Sequence, residues 1–143
     1  DSTQPVILIL QSMVIICITI DIKDVSLIFD KCILVNTTIK ASGTYKEVII
    51  FSNTNISWMV FRCLEFTNYH MIKFQNCSFM KIYNNYRNST IKLIKTYIFY
   101  MDKCILYTNI AAIIVSQNCD KIHINHINIV CLRVFNQEEH RNF

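Results

Sequence analysis

The acidic residues are candidates for catalysis, because a pair of carboxylates carries out most glycoside cleavage. Beyond the first residue they are Asp21, Asp24, Asp30, Asp102, Asp120, Glu47, Glu65, Glu138 and Glu139. Asp30 and Asp102 lie in identical pentapeptides, DKCIL, but 72 positions apart. If three coils of a repeat separated them, they would be ~14 Å apart at ~4.8 Å per coil, too far to act as a pair.

Histidines and cysteines are the next candidates, as metal ligands or nucleophiles. His123 and His126 would have to join His70 and His140 in a metal site, but positions three apart on a strand point to opposite faces. The seven cysteines contain no CxxC pair, and a single glycine leaves no room for a phosphate-binding loop. We predict no catalytic residue, no metal and no cofactor, with lyase-like or hydrolase-like activity on polysaccharides as the enzymatic alternative.

The same cysteines allow two interpretations of the core. Most of them are expected to be small, buried hydrophobic side chains. A disulfide framework is the alternative, and the odd number leaves at least one thiol unpaired within the chain.

Four N-glycosylation sequons are present, and each is an acceptor only in a secreted protein. They begin at Asn36, Asn55, Asn76 and Asn88. Asn36 and Asn88 fall in predicted loops and are the stronger candidates. The sequence therefore predicts a secreted, extracellular or virion-surface protein, with an intracellular assembly component as the alternative.

Tyrosines interspersed with basic residues are a further candidate surface, because rings stack on sugars or on single-stranded nucleic acid. They are Tyr83, Tyr86, Tyr97 and Tyr100, near Arg87, Lys92 and Lys95. Core and loop roles are favoured for these rings. The net charge of +4 is small and the lysines are scattered, so nucleic acid is not an expected partner.

Composition indicates the elements that hold these residues. The chain of 143 residues fits one domain, 1–143, with 52% hydrophobic and 17% charged residues. Isoleucine, valine and the aromatics, which favour strands, are abundant, whereas alanine is scarce. One glycine and one proline leave asparagine to supply most left-handed corners.

Hydrophobic alternation predicts short strands along most of the chain. The run from Val6 to Ile20 is too short to span a membrane, and we predict two buried strands that meet at Gln11-Ser12. Val14 to Ile22 reads as one strand with a corner at Lys23-Asp24. Residues 36–45 and 83–90 are predicted loops, and residues 91–100 are predicted to be strand rather than helix.

The strands recur with a period. Phe29, Phe51 and Phe74 are separated by 22 and 23 residues, and the two DKCIL segments by about three such periods. A period in this range indicates a solenoid. Phe29, Phe51 and Phe74 are predicted to form one interior column. The repeat region is placed at 14–134, followed by a polar tail at 135–143.

This pattern of short strands ending in Asn-Cys or Lys-Cys corners resembles right-handed parallel β-helix proteins of the pectate-lyase-like and tail-spike-like kind. The resemblance implies an all-β solenoid of about five coils, with a β-sandwich as the alternative fold. It also implies a corner ladder of Asn53, Asn76 and Asn118 beside a core stack that contains Cys32, Cys77, Cys104 and Cys119.

The function expected from these features is contact rather than turnover. We predict a non-catalytic structural β-solenoid that self-assembles or joins other protein subunits in a fibre, coat or surface structure. A carbohydrate-binding or carbohydrate-processing β-helix is the alternative.

Overall fold

The computed structural model describes residues 6–60, 62–81, 90–107 and 114–130, and within them the chain forms strands and no helix. The strands are β1 (Ile7–Gln11), β2 (Val14–Ile16), β3 (Thr19–Lys23), β4 (Ser26–Asp30), β5 (Ile33–Val35), β6 (Thr38–Ser42), β7 (Val48–Ser52), β8 (Asn55–Trp58), β9 (Leu64–Thr67), β10 (Met71–Gln75), β11 (Ser78–Lys81), β12 (Ile91–Ile94), β13 (Ile98–Asp102), β14 (Ile105–Leu106), β15 (Ile114–Gln117), β16 (Lys121–Asn125) and β17 (Asn128–Ile129).

Every third strand joins the same sheet. Sheet A has the order β1-β4-β7-β10-β13-β16, sheet B the order β2-β5-β8-β11-β14-β17, and sheet C the order β3-β6-β9-β12-β15. All strand pairs are parallel, and each strand pairs with the strand three elements along the chain. The chain therefore winds through three sheets per coil for about five turns, which confirms the predicted parallel β-helix and excludes the β-sandwich.

Like side chains stack in register inside the coils. Phe29 pairs with Phe51, and Phe51 pairs with Phe74, in adjacent strands of sheet A. Their rings are parallel, with centroids 4.6 Å and 4.5 Å apart, and all three side chains are fully buried. Leu10 extends this column on one side, and Met101 and Ile124 extend it on the other. The column is continuous because the coils keep one register.

Corners between strands are made by single residues in the left-handed region. Asparagine occupies five of the thirteen described positions, so the prediction that asparagine makes most corners is wrong. The thirteen are Ser12, Cys17, Asp24, Lys31, Asn36, Tyr45, Asn53, Asn68, Asn76, Lys95, Lys103, Asn118 and His126. Many polar residue types therefore accept the backbone strain that the fold imposes at its corners.

The only glycine serves close approach rather than a left-handed corner. Its φ is not positive, and a Cβ there would lie 2.9 Å from the Asn68 carbonyl oxygen and 2.6 Å from Glu47 Oε1. The Gly43 amide donates to the Thr67 carbonyl of the next coil, at 2.8 Å. The insertion of residues 43–47 is thus held against the neighbouring coil.

Several predicted boundaries need correction. A corner at Cys17 divides the run Val14 to Ile22 into β2 and β3. The predicted loop 36–45 contains β6, because Ile39 and Ala41 face the core. The corner at Gln11-Ser12 was placed correctly, but the strands around it are largely exposed rather than buried. The stacked region also begins at β1, seven residues before the predicted 14–134 repeat region.

Other predictions lie partly or wholly outside the described residues. Most of the predicted loop at 83–90 and all of the tail at 135–143 belong to this group. Within the described ranges, no helix is long and apolar enough to cross a membrane.

Candidate functional site

The repeated aspartates lie in one outer row of sheet A, but they are far apart. The register runs Asp30, Ser52, Gln75, Asp102, so three strand spacings, ~14 Å, separate the carboxylates. Asp30 accepts hydrogen bonds from Gln11 Nε2 at 3.4 Å and Asn53 Nδ2 at 3.1 Å. Each of these contacts links neighbouring coils.

Asp102 is bound in a similar way. Its Oδ1 lies 3.0 Å from His126 Nδ1, at the corner of the following coil. The two carboxylates therefore hold adjacent coils together along an outer edge. Their separation does not fit paired carboxylate catalysis, which needs ~5–9.5 Å.

Two of the candidate tyrosines, Tyr97 and Tyr100, are each in contact with a histidine and a lysine from neighbouring coils. Tyr100 stacks on His123 at 5.1 Å between centroids, and Lys73 Nζ lies 5.8 Å from the centre of the same ring. Lys73 and His123 belong to the strands on either side of Tyr100. The ring is thus sandwiched, and a sugar or a base has no face on which to stack.

Tyr97, directly before β13, has a similar pair of neighbours. His70 stacks on it at 5.1 Å, and Lys121 Nζ lies 5.5 Å from its ring centre. Each lysine beside a tyrosine ring makes a cation–π contact, which at exposed sites contributes ~0.5–1 kcal/mol. Tyr83, Tyr86 and Arg87 lie outside the described residues.

The histidines that are candidate metal ligands make separate contacts. His70 and His123 stack on different tyrosines, and His126 pairs with Asp102. Among the described residues no group of three or more His, Cys, Asp or Glu side chains is placed to hold a metal ion. His140 lies outside the described residues.

A row of alternating charges, which the sequence analysis missed, crosses the outer face of sheet C. Asp21 pairs in register with Lys40, Lys40 with Glu65, and Glu65 with Lys92. The first three line a shallow groove of about 400 Å³. Opposite charges directly across strands stabilise a sheet by ~0.2–1 kcal/mol per pair, so this row supports the fold rather than a charged ligand.

The predicted asparagine ladder is divided between two corners. Asn53 follows β7 and Asn76 follows β10, so both lie at the corner between sheets A and B. Asn118 follows β15 and lies at the corner between sheets C and A, as Asn68 does. Asn118 therefore does not extend the Asn53–Asn76 column, because the same Asn-Cys dipeptide occurs at two different corners.

The predicted cysteine stack divides in the same way. Cys32, Cys77 and Cys104 are buried directly after the corner between sheets A and B, with Thr54 in the intervening coil. Cys119 is half-buried at the other corner. The six described cysteines are free thiols, four of them buried; Cys131 is not among the described residues.

The buried thiols form no disulfide with one another. They donate hydrogen bonds to backbone carbonyl groups instead. Cys32 Sγ donates to Leu10 O at 3.3 Å and Cys77 Sγ to Phe51 O at 3.3 Å, each in the preceding coil. A hydrogen bond with the Cys104 thiol, together with burial, raises the pKa of Cys77. A protonated, buried thiol is a poor nucleophile, so Cys77 has a packing role.

The sequons are placed differently from the prediction. Asn36 is half-buried, and its Oδ1 accepts from the Met59 amide at 2.7 Å. Asn55 and Asn76 are exposed, the former accepting from Ser78 Oγ at 2.8 Å. Asn88 lies outside the described residues. Accessibility in the folded protein thus favours Asn55 and Asn76 over Asn36 as glycosylation sites.

The two ends of the described coils present interior-type side chains to solvent. Leu8 is 47% exposed, although Leu27, its partner in the next coil, is fully buried. At the other end Ile122 is 50% exposed, whereas its partner Phe99 is fully buried. Ile129 and Leu106 repeat this contrast in sheet B, at 51% and 0%. At these ends the interior columns are therefore covered on one side only by the described coils.

No family model, no curated protein and no solved structure matches this chain.

Proposed function

We propose that this β-solenoid is a non-catalytic structural module that takes part in a larger assembly, such as a fibre, a coat or a surface layer, through its exposed ends. The observation that carries the proposal is the exposure of interior-type residues at both ends. Leu8 and Ile122 belong to a column whose other members are fully buried. A further strand on either end would cover them.

The energy available at these ends supports association. Complete burial of a leucine or isoleucine side chain contributes ~1.5–3 kcal/mol, and these side chains are about half exposed. Backbone N–H and C=O groups at a sheet edge add hydrogen bonds when a strand pairs with them. The two contributions act together at the same edge.

The outer surface near the first coils adds a second apolar area. Ile9 and Ile28 are in-register partners on the outside of sheet A, and Ile9 is 66% exposed. Val14 and Ile33 are the corresponding exposed partners on sheet B. Such adjacent apolar residues mark contact surfaces more often than single exposed ones do.

Carbohydrate binding is supported less well by the described residues. The two described tyrosines that were candidates for stacking on sugar have both ring faces covered, by a histidine and a lysine in each case. The acidic residues Asp30 and Asp102 are too far apart for glycoside cleavage. The structural proposal requires neither property.

Sedimentation velocity over a wide range of protein concentrations tests the proposal. The weight-average mass is expected to rise with concentration, because the exposed ends associate by mass action. A sharp monomer boundary at every concentration, in a protein with a cooperative unfolding transition, would contradict it.

The compartment is part of the proposal and has its own test. We propose an extracellular or virion-surface location, supported by exposed sequons at Asn55 and Asn76. After passage through a eukaryotic secretory pathway, the intact mass is expected to fall on enzymatic deglycosylation. Asn55→Gln should remove one glycan, whereas an unmodified wild-type chain would count against secretion.

A further inference from the structure

The first coil ends in an edge that is unusually open to strand addition. Strands β1 and β2 contain no charged residue and no proline, although these are the usual means by which sheet edges avoid pairing. Both strands keep the parallel direction of their sheets, pairing with β4 and β5. Each is the first strand in its sheet as described, so one of its two edges is paired with no described strand.

The last described coil offers the matching edge. Strands β16 and β17 are the limits of sheets A and B at the opposite end. In the interior columns, Leu8, Leu10 and Ile15 at the first end have Ile122, Ile124 and Ile129 as their counterparts at the other. All six are aliphatic and similar in size. The two ends therefore continue the same three columns.

We propose that the first coil of one copy stacks on the β16–β17 end of a second copy, head to tail, with β1 beside β16 and β2 beside β17. This inference rests on the proposed function and specifies its contact. A copy translated along the solenoid axis keeps sheet A over sheet A and keeps every strand parallel, as all strand pairs in this chain are.

The opposite arrangement does not preserve the pattern. A two-fold axis that joined two first coils would reverse the direction of the strands and make them antiparallel. It would also place different sheets over one another. Head-to-tail stacking avoids both, and it sets no like charges against each other because β1 and β2 carry none.

Head-to-tail contact is heterologous, so it does not close on itself without a rotation that forms a ring. Each added copy buries one end and exposes a new one of the same kind. The arrangement predicts a linear series of assembly states, with a fibre as its limit. Assembly should stop at two when each partner has only one working end.

Two single variants test this directly. Leu8→Lys places a charge in the interior column at the first end, and Ile122→Lys places one in the same column at the other end. Each variant alone is expected to be monomeric, because every head-to-tail contact needs both surfaces. An equimolar mixture is expected to form a dimer and nothing larger, measured by sedimentation velocity or native mass spectrometry.

Met80→Lys is the matched control. Met80 is half-buried on the outside of β11, where it alternates with the buried Phe79, and β11 is paired with a strand on each side, so wild-type association is expected. Dimer formation in the mixture also shows that both single variants are folded.

The outcomes separate the two proposals. If wild type associates but Ile122→Lys still forms dimers by itself, the contact joins first coils and the head-to-tail inference is overturned. If the mixture stays monomeric while wild type associates, the inference fails and the assembly proposal remains. If wild type is monomeric at all concentrations, both fail.

Discussion

At the scale of single residues, the corners determine where the chain changes sheet. Lysine occupies the left-handed position at Lys31, Lys95 and Lys103, with φ of 56°, 54° and 55°. A left-handed conformation costs most L-residues ~1–2 kcal/mol, and asparagine tolerates it better. These lysines hold strain that a better corner residue would relieve.

Lys31→Asn and Lys103→Asn are therefore expected to raise the free energy of unfolding by up to about 1 kcal/mol each. Lys40→Asn is the control, because Lys40 lies on the outer face of β6, where asparagine is disfavoured. That change should lower stability. Urea unfolding measures all three, and equal losses in the corner and strand variants would refute the explanation.

The buried phenol of Tyr69 gives a pH dependence. Its hydroxyl donates to Val25 O at 3.0 Å, and burial, with smaller contributions from Glu47 and Asp24, raises the pKa of Tyr69 to about 12. The folded state thus keeps this proton above the ordinary pKa of 10.0. Stability from this group is complete below that value and falls as pH rises toward about 12.

Tyr69→Phe should be less stable than wild type at neutral pH, because it loses a hydrogen bond that contributes ~0.5–1.5 kcal/mol. The difference should shrink as the pH approaches about 12, since the variant has no phenol to ionise. Urea unfolding of both proteins across this range measures it. A difference that stays constant with pH would show that Tyr69 ionises normally in the folded state.

At the scale of elements, the interior column of sheet A packs successive coils against one another. Phe51 stacks on both Phe29 and Phe74, with interplanar angles of 1° and 8°. It also contacts Phe66 of sheet C, at 6.1 Å between centroids. Removing this ring would leave a cavity at the middle of the solenoid.

Phe51→Ala is expected to lower the free energy of unfolding by ~3–5 kcal/mol, the usual cost of a large buried side chain. Ile33→Ala, on the exposed outer face, should cost much less. Equal losses in thermal or urea unfolding would be inconsistent with a column centred on Phe51.

The element pattern was largely visible in the sequence. The spacing of Phe29, Phe51 and Phe74 predicted strands that do pair in register, because one coil contributes one residue to each column. The division of the run Val14 to Ile22 at Cys17 was not visible. Nothing in the sequence distinguishes a cysteine at a left-handed corner from a cysteine within a strand, and the conformational preference of cysteine does not indicate a corner.

The misplacement of Asn118 has a related cause. Its Asn-Cys dipeptide is identical to Asn76-Cys77, but the chain has three corners per coil and the dipeptide does not specify which one. Counting from the Phe74 column through Met101 to Ile124 would have placed Asn118 before sheet A rather than after it.

At the scale of the whole molecule, the exposed ends could not be predicted from residue types. Leu8 and Leu27 are the same residue in equivalent places, and their exposure differs because, among the described strands, only that of Leu27 is paired on both sides. Burial in a solenoid depends on neighbouring coils, which is also why such folds behave as one-dimensional arrays. The same property links the fold to the proposed assembly.

Hydrogen exchange at low and high protein concentration tests the central claim most directly, namely that the end strands are open edges which a second copy covers. At low concentration the β1 amides should exchange fast and the β7 amides slowly, because β7 is paired on both sides and β1 on one. At high concentration β1 and β16 should gain protection while β7 stays unchanged. Protection of β1 that is already complete at low concentration, or a rise in mass without added protection at β1 and β16, would contradict the account.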